Sequence, residues 1–469
     1  MKKHVDKIGG TLFAVLALLV IALKPFSPEL SAQAQNVLGG ILVTIGIWIF
    51  KPLRLTFSMG AFFLAFFLLV LGLPPSVVFS GFTQSALWTL VPALFFGFVL
   101  QKTGLGKRVA LGIIKLFKPT YPSILLAWVL IGVVLSILTP SITVRVAIVM
   151  PIAVQCCELF ALEKKSRGNS LILLTAFAMA LMPGSGWLTG SLWGPIIQGL
   201  FNAVPAMSGL VTFSSWFSVA FLPMELVTVL LVILGYFVLR PKEKLPKDAI
   251  DKLKAERRTP VSREEKAAAC ILIGVFVLFL TKSIHGIPDA AVCMLAVICF
   301  YITGVMSASE FSSGISWDLA IFIGMALSLS SIFGFTGIST WISGIVVPAL
   351  APIARNPWIF MLIVTIIVFA WRFIDIALTI PTMAILTPIL PSVFEAYHIS
   401  PLVWILIYVM AGNSFFLLYQ NMWALMAGAI AKDRVWLPSH LARYGIVYFA
   451  ACMIALLVTI PIFVRVGLF

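Results

Sequence analysis

The sequence predicts an all-α polytopic membrane protein. Of its 469 residues, 61% are hydrophobic and 10% are charged, a composition that excludes a soluble globular protein. Apolar stretches of about 20 residues, the length that a helix needs to cross a bilayer, recur along the whole sequence. Helices satisfy their backbone hydrogen bonds within one segment, and the residue alternation of a membrane β-barrel does not occur in the sequence.

The distribution of basic residues predicts the orientation of the chain. The formal net charge is +15, and we assign it to basic loops on the cytoplasmic side of a membrane rather than to nucleic-acid binding. The densest run, Arg240–Lys266, holds ten basic and six acidic residues. We therefore predict a cytoplasmic loop at 241–266, a cytoplasmic N-terminus and a location in the bacterial inner (cell) membrane. The first apolar segment is long and lacks a cleavage site, so it is predicted to be a span.

The predicted elements follow the apolar segments, which lie at 8–25, 36–50, 53–73, 85–102, 121–157, 170–200, 211–240, 267–284, 288–305, 316–354, 357–393, 402–430 and 442–465. Several are too long for one crossing. Pro119–Cys157 has 39 residues, and as one helix it would extend about 60 Å, twice the hydrocarbon core. Its centre, LTPSITVR, is not a hydrophilic loop. This segment therefore predicts a re-entrant hairpin, two half-helices that meet at a polar tip inside the protein.

A second segment of the same kind occurs later in the chain. Pro357–Phe394 has 38 residues, and its centre holds Arg372, Asp375 and the sequence LTIPT. A related block precedes each hairpin, and in each block a tryptophan is followed by a Thr-Gly step (Gly104 and Gly337). Repeats with interrupted helices at matching positions are typical of secondary transporters. The sequence therefore predicts two repeats, each with a re-entrant hairpin.

The first predicted tip offers the hydroxyls of Ser141 and Thr143 and the guanidinium of Arg145. A charge at membrane depth costs roughly 2.5 to 3.5 kcal/mol, so it usually faces a partner, a cavity or a ligand. Hydroxyls, helix N-termini and an arginine together favour the oxygens of an anion. The alternative is structural: the hydroxyls satisfy freed backbone groups, and Arg145 pairs with a carbonyl.

The second tip offers Thr379 and Thr382. Arg372 and Asp375, three residues apart, are more simply an internal ion pair than a substrate or proton site. Glycine-interrupted segments follow each hairpin, and from them we select Thr189 and Asn413 as candidate polar ligands. Their aromatic residues are interpreted as packing groups: Trp193, Tyr419 and Trp423. The predicted substrate-binding residues are therefore Ser141, Thr143, Arg145, Thr379, Thr382 and Asn413.

The sequence resembles the divalent anion/sodium symporters, which carry di- and tricarboxylates or sulfate, and their relatives the bacterial citrate/succinate exchangers. TGLGKRVALGIIKLF (Thr103–Phe117) and TPSITVRVAIVMPI (Thr139–Ile152) are similar to the family blocks T/S-G-L-G-x-R-I-A and T-P-S-N-T-A-R. By position, Ser141, Thr143 and Arg145 match the Ser, Thr and Arg of the second block. The order of later segments is also similar.

This resemblance implies a homodimer in which each protomer has about 11 transmembrane helices plus two re-entrant hairpins, arranged as two inverted repeats. It also implies that each protomer moves a transport domain against a scaffold as an elevator. The implied parts are scaffold helices at 1–117 and 267–355, transport-domain halves at 118–240 and 356–469, and the cytoplasmic basic loop at 241–266. It also implies sodium as a possible coupling ion and no other cofactor. The residues that would bind sodium are Ser141, Thr143, Thr189, Thr382 and Asn413.

The chain departs from the family pattern at both tips. Ile142 stands where the family has asparagine, and the second tip keeps neither its Ser nor its Asn. We expect a secondary-active transporter of small anions in a lipid bilayer, most simply di- or tricarboxylates, working by sodium coupling or by anion exchange. The alternatives are a transporter of sulfate, sulfonate or another anion, and a non-transporting membrane subunit. An enzyme is not expected, because the sequence lacks motifs for a nucleophile or catalytic metal.

Overall fold

The computed structural model describes residues 2–255, 260–375 and 379–469. In this part of the chain all regular secondary structure is helical, and there are no strands. The main helices are α1 (Lys2–Leu23), α2 (Ala32–Phe50), α3 (Phe57–Val70), α4 (Ser85–Lys102), α5 (Leu105–Ile114), α6 (Tyr121–Leu138), α7 (Ile142–Leu159), α8 (Arg167–Leu181), α9 (Trp193–Asn202), α10 (Phe213–Leu239), α11 (Arg263–Leu280), α12 (Asp289–Ile302), α13 (Trp317–Thr336), α14 (Ile338–Ala354), α15 (Pro357–Trp371), α16 (Ile380–Tyr397), α17 (Val403–Gly412), α18 (Met422–Ala431) and α19 (Pro438–Arg465). Short helical turns occupy Pro52–Arg54, Pro75–Val78, Ser80–Thr83, Pro183–Gly186, Pro205–Met207, Ala249–Ala255, Lys282–His285, Ala308–Ser313, Leu418–Gln420 and Lys432–Arg434.

Nine of the described helices are long and apolar enough to cross a bilayer: α2, α4, α6, α7, α8 with its following turn, α10, α13, α16 and α19. Six shorter apolar segments accompany them, in α1, α3, α12, α14, α15 and α17. This arrangement confirms the predicted all-α polytopic fold. The number of crossings stays a prediction, because helix length alone does not say which of the shorter helices complete a crossing.

The first hairpin consists of α6 and α7, joined by Thr139, Pro140 and Ser141. Each arm has 18 residues, about 27 Å of helix, and is therefore longer than the half-helices expected. Only the three-residue turn interrupts the helical run. Pro140 cannot continue a helix, and the Ser141 side chain caps α7 by accepting a hydrogen bond from the Val144 N–H. The turn is buried in the protein, as predicted.

The second hairpin consists of α15 and α16. Asn356 caps α15, accepting hydrogen bonds from the N–H groups of Trp358 and Ile359 at 3.0 and 3.2 Å. Residues 376–378 of the predicted tip lie outside the described residues, which resume at Thr379. Thr379 precedes α16 with a φ of 59°, in the left-handed region that a β-branched residue rarely adopts.

A broken helix follows each hairpin, as the glycine-containing segments predicted. After the first hairpin, α8 and α9 are separated by residues 182–192, which we call the first break. After the second hairpin, α17 and α18 are separated by residues 413–421, the second break. Pro183 and the three glycines of the first break disfavour helix, whereas Asn421 starts α18 anew by capping its first turn.

Two glycines make the internal repeat visible in the backbone. Gly104 and Gly337 have φ angles of 76° and 77°, and each ends a span (α4 or α13) and starts the next helix (α5 or α14). Glycine adopts the left-handed conformation without the strain that a Cβ atom would cause, which explains the Thr-Gly step in both halves.

Hydrogen bonds join the two repeats within two separate groups of helices. In residues 118–240 and 356–469, Thr175 bonds Tyr444 at 3.0 Å, and Ser170 bonds His440 at 2.8 Å. In residues 1–117 and 267–355, the Gly81 N–H donates to the Ser328 hydroxyl at 2.8 Å. These hydrogen bonds therefore join the hairpin and broken-helix segments of the two repeats to each other, and the earlier helices of the two repeats to each other.

Candidate functional site

The turn of the first hairpin is held by its own hydroxyls and by close packing on α4. Thr139 Oγ1 accepts a hydrogen bond from the Ser141 N–H at 3.1 Å. A Cβ atom on Gly97 of α4 would lie 3.0 Å from Ser141 Cβ and 3.1 Å from Thr139 Oγ1. Because glycine leaves that space open, the turn can dock against α4. Ser141 is therefore both a helix cap and a buried part of the contact with the earlier helices.

Thr143, two residues beyond the turn, has an exposed side chain. Its hydroxyl oxygen accepts a hydrogen bond from the indole nitrogen of Trp423, at 3.1 Å. Trp423 is the second residue of α18, which belongs to the other repeat. Since the indole uses one lone pair of the oxygen, the hydroxyl hydrogen of Thr143 remains free to donate to a ligand.

Arg145 lies behind the turn and is fully buried. Its Nη1 donates to the carbonyl oxygen of Gly190, in the first break, at 2.6 Å. Its Nε and Nη2 have no hydrogen-bond partner among the described residues, and no described carboxylate forms an ion pair with it. A Cβ atom on Gly184 would lie 2.4 Å from Nη1, so glycine is required there. Arg145 thus pairs with a carbonyl, as the structural alternative in the sequence analysis predicted. It also places beside the tip a positive charge that no described carboxylate compensates.

Arg372 occupies a related place beside the second tip, where it too is fully buried. It donates to the carbonyl oxygen of Gln420, in the second break, at 2.6 Å. It also donates to the backbone carbonyl oxygen of Asp375. The expected contact between Arg372 and Asp375 is therefore present in the structure, and it includes the Asp375 backbone. In both repeats, a buried arginine beside a hairpin tip holds the carbonyl of the following break.

The two threonines of the second tip differ in what their hydroxyls contact. Thr382 accepts a hydrogen bond from the indole of Trp371 at 3.0 Å and donates one to the carboxylate of Asp375. The Thr379 hydroxyl is buried and has no partner among the described residues. Of the two predicted residues, Thr379 is the one whose hydroxyl remains free for a ligand.

Asn413 lies at the start of the second break and is fully buried. Its Oδ1 accepts a hydrogen bond from the indole of Trp193 at 2.9 Å, and its Nδ2 donates to the Ser185 hydroxyl at 2.9 Å. Ser185 belongs to the first break, so Asn413 joins the two breaks directly. The predicted ligand Asn413 is occupied by these contacts, which makes it a link between the repeats.

Two tryptophans bring the separate predicted residues together. Trp193 begins α9 and Trp423 stands near the start of α18, so each follows a break. Their rings are perpendicular, with centroids 6.1 Å apart. Through them Thr143, on the first hairpin, and Asn413, on the second break, belong to one contact network. The sequence analysis interpreted Trp193 and Trp423 as packing residues. Their matching positions after the two breaks are the signal that could have identified them as part of the site.

Thr189 is half-buried and lines a cavity with Pro140 of the first turn. The rest of the lining is mostly apolar and comes from both groups of helices: Thr89, Ala93, Phe96, Ile137, Leu138, Pro195, Leu272, Val275, Phe279 and Cys293. With two threonine hydroxyls and no charged group, this cavity suits an apolar contact surface better than an anion. Among the described residues, no group of three His, Cys, Asp or Glu side chains could hold a metal ion.

Residues 5–460 match the sodium:sulfate symporter transmembrane region. The chain belongs to the sodium:sulfate symporter family. The resemblance noted from Thr103–Phe117 and Thr139–Ile152 is thereby confirmed for nearly the whole chain. Together with the apolar helices, the family assignment makes this protein a membrane-spanning chain.

This chain is similar to dicarboxylate transporter 1 of the spinach (Spinacia oleracea) chloroplast, with 25% identity over 345 residues. The aligned part is 72% of this chain and 60% of the spinach chain. The L-tartrate/succinate antiporter of Escherichia coli K12 is 24% identical over 319 residues, 65% of this chain and 63% of the antiporter. This family member therefore spans less than two thirds of either relative. Both relatives are named for transport and not for an enzymatic reaction.

The crystal structure of the YdaH transporter of Alcanivorax borkumensis has a similar fold. The TM-score is 0.57 at 12% sequence identity, and the superposition covers 84% of this family member and 88% of that chain. At this identity the likeness shows the fold alone.

Proposed function

We propose that this protein is a secondary-active transporter of small anions, with di- and tricarboxylates as the first substrate class. The observation that carries the proposal is Arg145, a fully buried guanidinium beside the first tip, two of whose nitrogens have no partner among the described residues. An uncompensated positive charge at membrane depth is costly, and an anion held nearby offsets that cost.

The proposed substrate site lies in front of this charge. Thr143 can donate its hydroxyl hydrogen while its oxygen accepts the Trp423 indole, and the Thr379 hydroxyl at the second tip has no partner among the described residues. The N-terminus of α7 adds N–H groups and partial positive charge. These donors suit carboxylate oxygens, which accept hydrogen bonds and donate none at neutral pH. The names of the spinach and E. coli relatives support dicarboxylates over other anions.

Sodium coupling is the part of the resemblance that the contacts of this chain favour least. The family description supports it, because sodium is named there. Three of the five proposed sodium ligands, however, have oxygens that already accept an indole N–H: Thr143, Thr382 and Asn413. An oxygen engaged by a donor is a weaker cation ligand, so transport without sodium is the form that these contacts favour.

The proposed mechanism is an elevator in which residues 118–240 and 356–469 move against residues 1–117 and 267–355. Two features support it. Side-chain hydrogen bonds between the repeats lie within these groups, and the cavity at the boundary is lined mainly by apolar residues. One hydrogen bond that does cross the boundary runs from the Tyr397 hydroxyl to the Val347 carbonyl at 2.7 Å. An apolar boundary can slide without leaving polar groups unpaired.

The proposed orientation places the N-terminus and the 241–266 loop in the cytoplasm of a bacterial cell. Arg108 pairs with Glu265 at 2.9 Å, and Arg434 with Glu158 at 3.4 Å. The first pair joins the start of α5 to the basic loop, and the second joins the end of α7 to the turn Lys432–Arg434. Basic residues at these ends agree with the positive-inside rule. Assembly as a homodimer remains a prediction from the resemblance.

Succinate counterflow tests the proposed function. Purified protein in liposomes loaded with unlabelled succinate receives labelled succinate outside, with sodium and again without it; protein-free liposomes are the control. Uptake in both conditions supports a dicarboxylate carrier that does not depend on sodium, and uptake with sodium alone supports sodium coupling. If succinate fails in both, the same assay with sulfate and with a sulfonate tests the second candidate substrates. Failure with all of these anions would favour a non-transporting subunit and contradict the proposal.

A further inference from the structure

Glu225 is a carboxylate in the middle of a membrane helix. It belongs to α10, Phe213–Leu239, a candidate span of 27 residues, and it is the thirteenth of them (225 − 213 + 1). A carboxylate at the centre of a span is rare and costly unless it has a partner or a function. It is not one of the candidate residues in the hairpin tips or the breaks, and it belongs to no motif recognised in the sequence.

The Glu225 side chain points at the first break. Its Oε1 is buried and accepts no hydrogen bond from the described residues. This oxygen lies 3.2 Å from the position that a Cβ atom on Gly186 would occupy, and Phe221 Cα lies 3.4 Å from the same position. Glycine at 186 therefore lets the carboxylate approach the unwound backbone. Phe221 also ends a π-helical turn, Phe217–Phe221, a distortion that often marks functional positions in helices.

No described charged group neutralises Glu225. The elements packed against α10 are α6, α8, α17, α19, the turn Pro183–Gly186 and the π-helical turn within α10 itself. The turn and the π-helical turn carry no titratable group. The titratable or charged residues of the four helices are Tyr121, Arg167, Tyr408, His440, Arg443, Tyr444, Tyr448, Cys452 and Arg465, and on α10 itself Tyr236. None of them forms a hydrogen bond or ion pair with Glu225 in the described structure.

We propose that Glu225 is a proton-binding site that couples anion movement to proton movement. The proposal rests on the transport function proposed above. An isolated carboxylate in an apolar site is stabilised when it takes up a proton, because the neutral acid avoids the cost of a buried charge. The protonated group can donate its hydrogen to a backbone carbonyl of the first break. When the break moves away, the carboxylate regains access to water and releases the proton.

The first break gives the proton site a physical route to the anion site. Arg145 holds this segment at Gly190 from one side, and Glu225 contacts it at Gly186, four residues earlier. An anion that draws on the charge of Arg145 and a proton bound at Glu225 therefore both act on residues 186–190. Binding of either ligand favours the conformation of the first break that binds the other ligand more tightly. Such coupling of two affinities is reciprocal by thermodynamic necessity.

The test is succinate uptake driven by a pH gradient, in proteoliposomes that are more alkaline inside. If one proton moves with each anion, a gradient of one pH unit sustains up to about tenfold accumulation. We expect this accumulation for the parent protein and its loss in Glu225→Gln, which cannot ionise. The Gln variant should also show counterflow that no longer changes with pH. Glu225→Asp, which keeps a carboxyl group, should retain part of the gradient response.

Glu395→Gln is the matched control, because it makes the same change at an exposed carboxylate of α16. It should accumulate succinate like the parent. A Glu225→Gln variant that folds and still accumulates like the parent would overturn the proposal. Parent counterflow without any response to the gradient would overturn it too, while leaving the transport function intact. Absence of counterflow in the parent with succinate, sulfate and a sulfonate alike would instead refute the transport function and the proton site together.

A second measurement does not depend on the variant being well folded. A pH-indicator dye in weakly buffered detergent solution reports protons that the parent protein takes up when succinate is added. Proton uptake supports the coupled site, and succinate binding without any proton change contradicts it.

Discussion

The indole nitrogen of Trp423 donates a hydrogen bond to the hydroxyl of Thr143 over 3.1 Å, although 280 positions separate these residues in the sequence. The bond joins the first hairpin to the broken helix of the second repeat. It also fixes the direction of the Thr143 hydroxyl, because the oxygen lone pair faces the indole and the hydrogen faces away. We infer that this pair sets the geometry of the proposed anion site.

Trp423→Phe keeps a ring in place and removes this hydrogen bond. Loss of one such bond costs about 1 kcal/mol, or about a fivefold change in an equilibrium constant. We therefore expect the succinate KM in counterflow to rise about fivefold, with little change in Tm. Trp128→Phe is the control, since that buried indole N–H has no acceptor in the described structure and its loss should leave KM unchanged. Equal KM values for the two variants would contradict the role of the pair.

Thr143→Ala removes the exposed hydroxyl of the first tip. Because this side chain is exposed, we expect Tm to stay near that of the parent while counterflow falls severalfold. Thr143→Ser restores a hydroxyl at the same place and should restore most of the transport. Parental transport by the alanine variant would mean that the threonine is structural and that the proposed site is wrong.

Gly184→Ala tests the packing around Arg145. The new Cβ atom would lie 2.0 Å from the Gly190 carbonyl oxygen and 2.4 Å from Arg145 Nη1, and the backbone oxygen cannot move aside cheaply. Overpacking of this kind costs about 1–3 kcal/mol, so Tm should fall together with transport. Gly274→Ala is the control in α11, where an added Cβ meets nothing within 4 Å. A Tm for Gly184→Ala as high as that of the control would show that the first break is loosely packed.

Glu310 provides a prediction for the pH dependence of stability. Its carboxylate accepts hydrogen bonds from Lys102 Nζ at 2.8 Å and from the backbone and hydroxyl of Ser307, which lower its pKa to about 2. A pKa below the unfolded value of about 4.3 stabilises the fold above that value, and the stabilisation is lost as pH falls towards 2. Glu310→Gln should therefore lower Tm at pH 7, and the difference should shrink at pH 4 and again at pH 3. A difference that stays constant over this range would exclude the ionised pair as its cause.

Much of the architecture followed from the sequence. The residues LTPS predicted the turn between α6 and α7, because proline and a capping serine interrupt an otherwise apolar run. The glycine-containing segments predicted both breaks, and the structure confirms them at residues 182–192 and 413–421. The lengths of the hairpin arms were underestimated, because nothing in the sequence shows how far a hairpin extends across a bilayer.

The partners of the candidate site residues did not follow from the sequence. Arg145 was recognised as a buried charge, but its acceptor is the backbone carbonyl of Gly190, which has no side-chain signature. Asn413 was selected as a ligand, whereas its amide joins Trp193 to Ser185. Glu225 was overlooked because a single acidic residue in an apolar helix has no pattern to identify it.

The sequence by itself determined the class of the protein, the positions of its interruptions and its membership in a transporter family, because these depend on local composition and on spacing along the chain. The tertiary structure alone decided which polar groups are engaged and which are free. Segments remote in the sequence decide these contacts. Trp423 engages the Thr143 hydroxyl and Gly186 leaves room for Glu225, whereas no described residue pairs with the Thr379 hydroxyl or with Glu225 Oε1. Hydrogen bonding and charge burial depend on distances in space, and in a folded membrane protein those distances are set by the packing of the two repeats.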